Sequence, residues 1–221
     1  NAAKIFGTLG VNGAANLFLL NPNGIVFGKN ARLDVDGSFV GSSGSGFVFG
    51  DGLEFSATNP QAPPLLEINL TPGLQRVTSG GEITNEGNLA VNFRKNLSLF
   101  GGTVTSNGSL TAPGGAVELI GERVSLFDNA LIDVSSDAGG GNVLIGRGTI
   151  PTAKRTYIGP QVNINADAPN GGNAGIVGIW ADEVDVVVYH SILKIFLLPI
   201  QPKSIGFMLN QTTIIIAPYH L

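Results

Sequence analysis

Few side chains in this sequence have the type and spacing that chemistry requires. The two histidines, His190 and His220, both lie near the C-terminal end, so no Ser–His–Asp relay can be assembled from the body of the chain. Asp34 and Asp36 fall on one strand face. Gly37-Ser38-Phe39 after them supplies neither the further oxygen ligands nor the distal glutamate of a calcium loop. They read as a solvated pair, as do Asp51 and Glu54. Asp128, Asp133 and Asp137 have no spacing that defines the two-carboxylate site of a glycosidase. Arg94-Lys95 and Lys154-Arg155 are short basic pairs in expected turns, and Gly44-Ser45-Gly46 lacks the Lys and Ser/Thr of a phosphate-binding loop. Cysteine is absent, which removes disulfides and thiolate metal sites. A net charge of −4 provides no basic footprint for nucleic acid. The expectation is therefore no catalytic residue, no metal and no cofactor.

One short segment does carry a local signal. Asn21-Pro22-Asn23-Gly24-Ile25 has the composition of a tight turn. Proline presets φ for the first corner, asparagine tolerates left-handed geometry, and glycine accepts it freely. Leu19, Ile25 and Phe27 on either side are expected to point into a core. Turn chemistry alone makes this a corner and assigns it no activity.

The elements around it are strands. Period-2 alternation recurs and helical periodicity does not: Leu17 and Leu19, Ile25 and Phe27, Leu33 and Val35, and then Phe39 are short apolar groups separated by turn residues. The 32 glycines are about twice the ordinary share of roughly 7% and indicate many tight corners. An internal repeat covers 96–141. It places Leu97 with Val117, Leu99 with Leu119, Val104 with Val124 and Leu110 with Leu131. A third copy starts at Asn142-Val143-Leu144-Ile145-Gly146, is interrupted over Arg147–Tyr157, and resumes at Val162-Asn163-Ile164. Repeats of about 20 to 26 residues with three short strands each fit an all-β, right-handed parallel β-helix. About seven or eight coils are expected, stacked at roughly 4.8 Å. Asn85, Asn88, Asn107, Asn129 and Asn142 either form amide ladders inside the stack or sit at exposed turns. Pro60, Pro63, Pro64 and Pro72 bar central strands over about 47–75. That stretch is expected to leave the helix as a β/Pro-rich excursion, with a hairpin of Phe47–Phe49 and Leu53–Phe55. The repeat pattern ends at Trp180-Ala181-Asp182, so 1–183 reads as the solenoid. The apolar tail 184–221 reads as a frameshifted or irregular stretch, or as a C-terminal cap, and its apolar run is too short for a membrane span.

Several motifs occur together in one order: AANLFLLNPNGIVFG at 14–28, KNARLDVDGSFV at 29–40, the SATNPQAPPLL core at 56–66, GGAVELI at 114–120, and Trp180-Ala181-Asp182. In this order they resemble the two-partner-secretion domain of filamentous-haemagglutinin-type exoproteins, and cyanobacterial-type members in particular. The resemblance covers roughly 1–183. It implies a fragment lacking the family's N-terminal coils and cap, secreted or held at the cell surface after passing the periplasm and outer membrane. It implies that the region of Asn21, Pro22, Asn23, Gly24 and Ile25 contributes to a secretion signal read by the periplasmic domains of an outer-membrane partner pore. Adhesion, with host or surface glycans as partners, would belong to downstream regions. Two rivals stay open. A β-helix polysaccharide-degrading enzyme would carry a carboxylate or arginine cluster on one exposed sheet face. A truncated, non-functional gene product would not be exported.

Overall fold

The computed structural model describes residues 1–48, 54–58, 80–146, 153–187, 205–209 and 212–218. Short strands separated by corners wind into coils. The first coil is β1 (Ala3–Ile5), β2 (Thr8–Gly10) and β3 (Leu17–Leu20); the second is β4 (Ile25–Phe27), β5 (Arg32–Asp34) and β6 (Phe39–Ser42). A hairpin of β7 (Gly46–Val48) and β8 (Glu54–Ser56) follows. The third coil is β9 (Glu82–Asn85), β10 (Asn88–Ala90) and β11 (Asn96–Phe100), and the fourth is β12 (Thr103–Ser106), β13 (Ser109–Thr111) and β14 (Ala116–Ile120). The fifth is β15 (Arg123–Leu126), β16 (Leu131–Asp133) and β17 (Asn142–Ile145), and the sixth is β18 (Arg155–Ile158), β19 (Asn163–Asn165) and β20 (Ile176–Ala181).

Equivalent strands of successive coils pair in parallel, which makes three sheets along one axis. Sheet A holds β1, β4, β9, β12, β15, β18 and one further strand, β21 (Glu183–Val186). Sheet B holds β2, β5, β10, β13, β16 and β19. Sheet C runs from β3 to β20, followed by β23 (Thr212–Pro218) parallel to β20 and β22 (Ile205–Leu209) antiparallel to β23. This is the expected parallel β-helix, with six complete coils among the described residues where seven or eight were anticipated for the chain. Seven strands of sheet A span about 29 Å at the usual inter-strand spacing.

The core is a column of inward side chains. Ile25, Ile83, Val104, Val124, Thr156 and Val184 stack in one register of sheet A, and Phe39, Leu97, Val117, Val143 and Val177 do so in sheet C. The repeat alignment is correct for Leu97 with Val117, Leu99 with Leu119, and Val104 with Val124. It fails by one residue at the fourth pair. Leu110 stacks on Ile132, and Leu131 lies beside Ser109. Ile132 is fully buried, whereas Leu131 is half-buried on the outer side. The cause is a change of corner length. Asn107-Gly108 joins β12 to β13 in two residues, but 127–130 takes four, closed by the Ala130 N–H donating to the Phe127 carbonyl at 3.0 Å. A second correction concerns the interruption expected at 147–157. Residues 147–152 lie outside the described part, but Arg155–Ile158 is the strand β18, in register with β15. Its inward residues are Thr156 and Ile158, the first a polar side chain where the alternation calls for an apolar one. Thr156 is fully buried, and its hydroxyl donates to the Trp180 carbonyl at 3.4 Å.

The excursion leaves and rejoins the solenoid at one corner. Phe47 pairs with Phe55 across the β7–β8 hairpin, as the sequence suggested; 49–53 and 59–79 lie outside the described residues. Phe47 packs edge-on against Phe18 at 5.5 Å, in a cluster with Val40 and Phe100. These are outward residues of sheet C, so the hairpin gives this part of the sheet a second buried face. At the base, the Ser43 hydroxyl donates to the Gly81 carbonyl at 2.7 Å. The register places Ser43 and Gly81 at the positions that Gly101 and Gly102 occupy one coil later. Removing 44–80 and joining Ser43 to Gly81 therefore recreates a two-residue corner. The shortened chain is expected to keep its β-sheet circular dichroism and cooperative urea unfolding, with a loss of about 2–3 kcal/mol from the missing Phe47 contacts. Non-cooperative unfolding would show that the excursion is needed to close the coils.

Candidate functional site

The turn at Asn21–Ile25 is the corner between β3 and β4, where the chain passes from sheet C to sheet A. Its geometry follows from its residue types. Asn21 occupies the first turn position, and its side-chain Oδ1 accepts a hydrogen bond from the Asn23 N–H at 3.0 Å. Its carbonyl accepts from the Gly24 N–H at 2.9 Å and closes the turn over Pro22 and Asn23. Gly24 alone takes the left-handed conformation, at φ 105°, and Asn23 does not. Proline at the second position and glycine at the fourth match the residue preferences of the commonest turn type. Ile25 and Phe27 are fully buried, and Leu19 packs against the core while half-buried. Phe27 meets Phe39 edge to face at 6.0 Å between ring centres.

The neighbouring coils hold the corner on both sides. The Ala3 N–H donates to the Gly24 carbonyl at 3.0 Å, the Asn21 amide donates to the Asn1 carbonyl at 3.2 Å, and the Asn21 N–H donates to the Ser42 carbonyl at 2.9 Å. From the following coil, the Gly81 N–H donates to the Pro22 carbonyl at 3.0 Å. This starts a ladder of corners, with Gly102 donating to Gly81 and Arg123 to Gly102, each at 3.2 Å. A side-chain carbon at Gly24 would stand 2.5 Å from the Glu82 carbonyl oxygen, and one at Gly81 would stand 2.6 Å from the Gly24 nitrogen. In the folded chain the turn is a sealed part of the stack, with Asn23 its exposed residue. Gly81 and Glu82 are the turn's unanticipated partners. The signal that could have found them is the pair of Gly-Gly steps, 80–81 and 101–102, each just before an inward apolar strand.

The other chemistry-bearing residues are scattered. Asp34 and Asp36 are exposed, and Asp36 accepts from the Asn92 amide at 3.1 Å. Asp128 and Asp137 sit in different exposed corners, while Asp133 accepts from both the N–H and the hydroxyl of Ser135. No group of three or more His, Cys, Asp or Glu that could hold a metal occurs among the described residues. His190, His220 and Asp51 lie outside them. Of the five asparagines considered for ladders, Asn85 is the interior one. It donates to the Ser106 hydroxyl at 3.1 Å and accepts from the Gly87 N–H at 3.1 Å, and its neighbours along the column are Phe27 and Ser106. Asn88, Asn107, Asn129 and Asn142 are exposed, so the amide ladder is not formed by this set.

One exposed face does gather charge. Arg123, Arg155 and Glu183 share a register on the outside of sheet A, and Arg155 pairs with both Asp185 and Glu183. The hydrogen bond to Asp185, followed by the charges of Glu183 and Asp185, raises the Arg155 pKa further above its usual value. This favours the guanidinium, the opposite of what an arginine general base requires.

The sequence matches the TPS secretion domain over residues 1–179. The chain belongs to this family. Comparison with curated proteins gives no match, and comparison with solved structures gives none either. A TPS secretion domain marks a two-partner-secretion exoprotein, exported with the help of an outer-membrane transporter, and the family points away from enzymes. The match ends inside β20, one strand before β21, the last strand of sheet A among the described residues.

Proposed function

We propose that this TPS domain directs the export of a large adhesin-like exoprotein through a dedicated outer-membrane pore, and that Asn21, Pro22, Asn23, Gly24 and Ile25 belong to the signal the pore's periplasmic domains read. The functional unit is the solenoid of 1–183, and it is not an enzyme. The observation that carries the reading is the sealing of the turn. Once the coils form, the backbone groups of Asn21, Pro22 and Gly24 are bonded to Ser42, Gly81 and Ala3, and the Asn21 side-chain amide to Asn1. Recognition therefore acts on the extended chain before folding, by strand addition to the partner. Coil-by-coil folding outside the cell then opposes backsliding, because each coil buries its inward face on the one before. Attachment to surfaces or glycans belongs to chain beyond this domain.

The test is an export assay on the full exoprotein carrying this domain, with and without its partner pore. The protein is expected in the medium or on the surface only when the pore is present. Equal export in both conditions, or none in either, would sink the reading.

A further inference from the structure

We propose that Asn12 is a site of spontaneous deamidation in the folded chain, and that the fold withholds Asn23, in the signature turn, from the same reaction. The chain holds four Asn-Gly steps: 12–13, 23–24, 107–108 and 170–171. In such a step the glycine backbone nitrogen attacks Cγ of the asparagine side chain. The Cγ–Nδ2 bond breaks, ammonia leaves with the proton from the glycine N–H, and a five-membered succinimide forms. Water opens either carbonyl of the ring to give aspartate or isoaspartate. One water enters, one ammonia departs, and nothing is oxidised or reduced. Glycine favours the attack because no side chain obstructs its nitrogen.

The fold controls two requirements: a glycine N–H free of other bonds, and a backbone free to swing the side-chain amide towards it. All four asparagines are exposed, so exposure does not separate them. Hydrogen bonding does. The Gly24 N–H is committed to the Asn21 carbonyl at 2.9 Å, and the Asn23 N–H to the Asn21 side chain at 3.0 Å. Gly24 is also clamped by Ala3 through its carbonyl. The N–H groups of Gly108 and Asn107 both donate to the Asn85 carbonyl, at 3.2 and 3.0 Å. The Gly171 N–H makes a longer bond of 3.4 Å to the Ala168 carbonyl. Gly13 makes no backbone bond among the described residues, and a side-chain carbon on it would meet nothing within 4 Å. Asn12-Gly13 lies in the irregular corner between β2 and β3, where both requirements are met without opening any ladder.

The consequences differ in kind. At Asn12 either product adds one negative charge to a net charge of −4, and isoaspartate also lengthens an exposed corner by one backbone atom. At Asn23 the extra backbone atom of isoaspartate would pull Gly24 away from Asn21 and break the stack. The turn is thus chemically vulnerable only while the chain is extended.

The experiment follows all four sites by peptide mapping and isoaspartate labelling. The chain is held in mildly alkaline buffer with and without unfolding urea, and circular dichroism is read on the same samples. In native buffer Asn12 is expected to react first and Asn170 next. Asn23 and Asn107 should lag Asn12 by about tenfold, the effect of one ordinary hydrogen bond that must open first. In urea the four rates should converge. Asn12→Gln should remove the fast event and leave the others unchanged. Reaction of Asn23 as fast as Asn12 in native buffer, or survival of the native order in urea, would overturn the proposal.

Discussion

Replacing Ile132 by aspartate is expected to unfold the central coils, while the same replacement at Leu131 leaves them standing. Ile132 is fully buried and stacks between Leu110 and Ile164. A carboxylate there has no partner on the inner side of sheet B, and the cost of an unpaired buried charge is about 3–5 kcal/mol. That is comparable with the whole stability of an ordinary domain. Leu131 is one residue earlier and faces outward between Ser109 and Asn163. There an aspartate meets water and polar neighbours, and the expected change is within about 1 kcal/mol. Urea unfolding midpoints of the two variants decide the matter. Equal losses, or a larger loss at Leu131, would mean that the register of sheet B is the one the repeat text suggests.

That contrast shows where the sequence stops being legible. Strand positions could be read because alternation is a local property: Leu97, Leu99, Val117 and Leu119 announce an inner face with no knowledge of their neighbours. Corner lengths could not. A two-residue corner and a four-residue corner both look like polar, glycine-rich text, yet the difference displaced the alignment at Leu131 by one position, and in a strand one position exchanges the faces. Buried polar residues were hidden for a related reason. Asn85 and Thr156 occupy core columns because Ser106, Gly87 and the Trp180 carbonyl satisfy their polar atoms there, and two of those partners are distant in sequence: Ser106 lies in the next coil and Trp180 at the far end of Thr156's own coil. The candidate turn stands between these cases. Its residue types foretold a tight corner and inward flanks. Its closure by Ala3, Ser42 and Gly81 depends on stacking that no local pattern encodes.

The same division bears on export. A signal written in the types of five consecutive residues is available to an extended chain, whereas contacts from Ala3 and Gly81 exist only after three coils have assembled. Reading and folding can therefore use the same residues at different times without conflict. On the proposed reading each stage constrains the turn differently: the partner reads its side chains and strand edge, and the fold restricts its backbone.

The backbone restriction can be isolated with a matched pair of substitutions, Gly24→Ala and Gly13→Ala. Both glycines are left-handed, at φ 105° and φ 90°. An alanine at either position bears the conformational penalty, about 1–2 kcal/mol. At Gly13 that is the whole cost, because its surroundings are open within 4 Å. At Gly24 the added carbon would also stand 2.5 Å from the Glu82 carbonyl oxygen, which is held in the sheet A ladder. A backbone atom cannot step aside as a flexible side chain can, so the corners of the second and third coils must separate. The expected loss at Gly24 is about 3–5 kcal/mol, read as a drop in the urea midpoint at least twice that of Gly13→Ala. In the export assay, Gly24→Ala should leave engagement of the extended chain by the pore largely intact and release a protease-sensitive product. A stable, protease-resistant Gly24→Ala protein would show that the corner tolerates a side chain and that the glycine serves the partner alone.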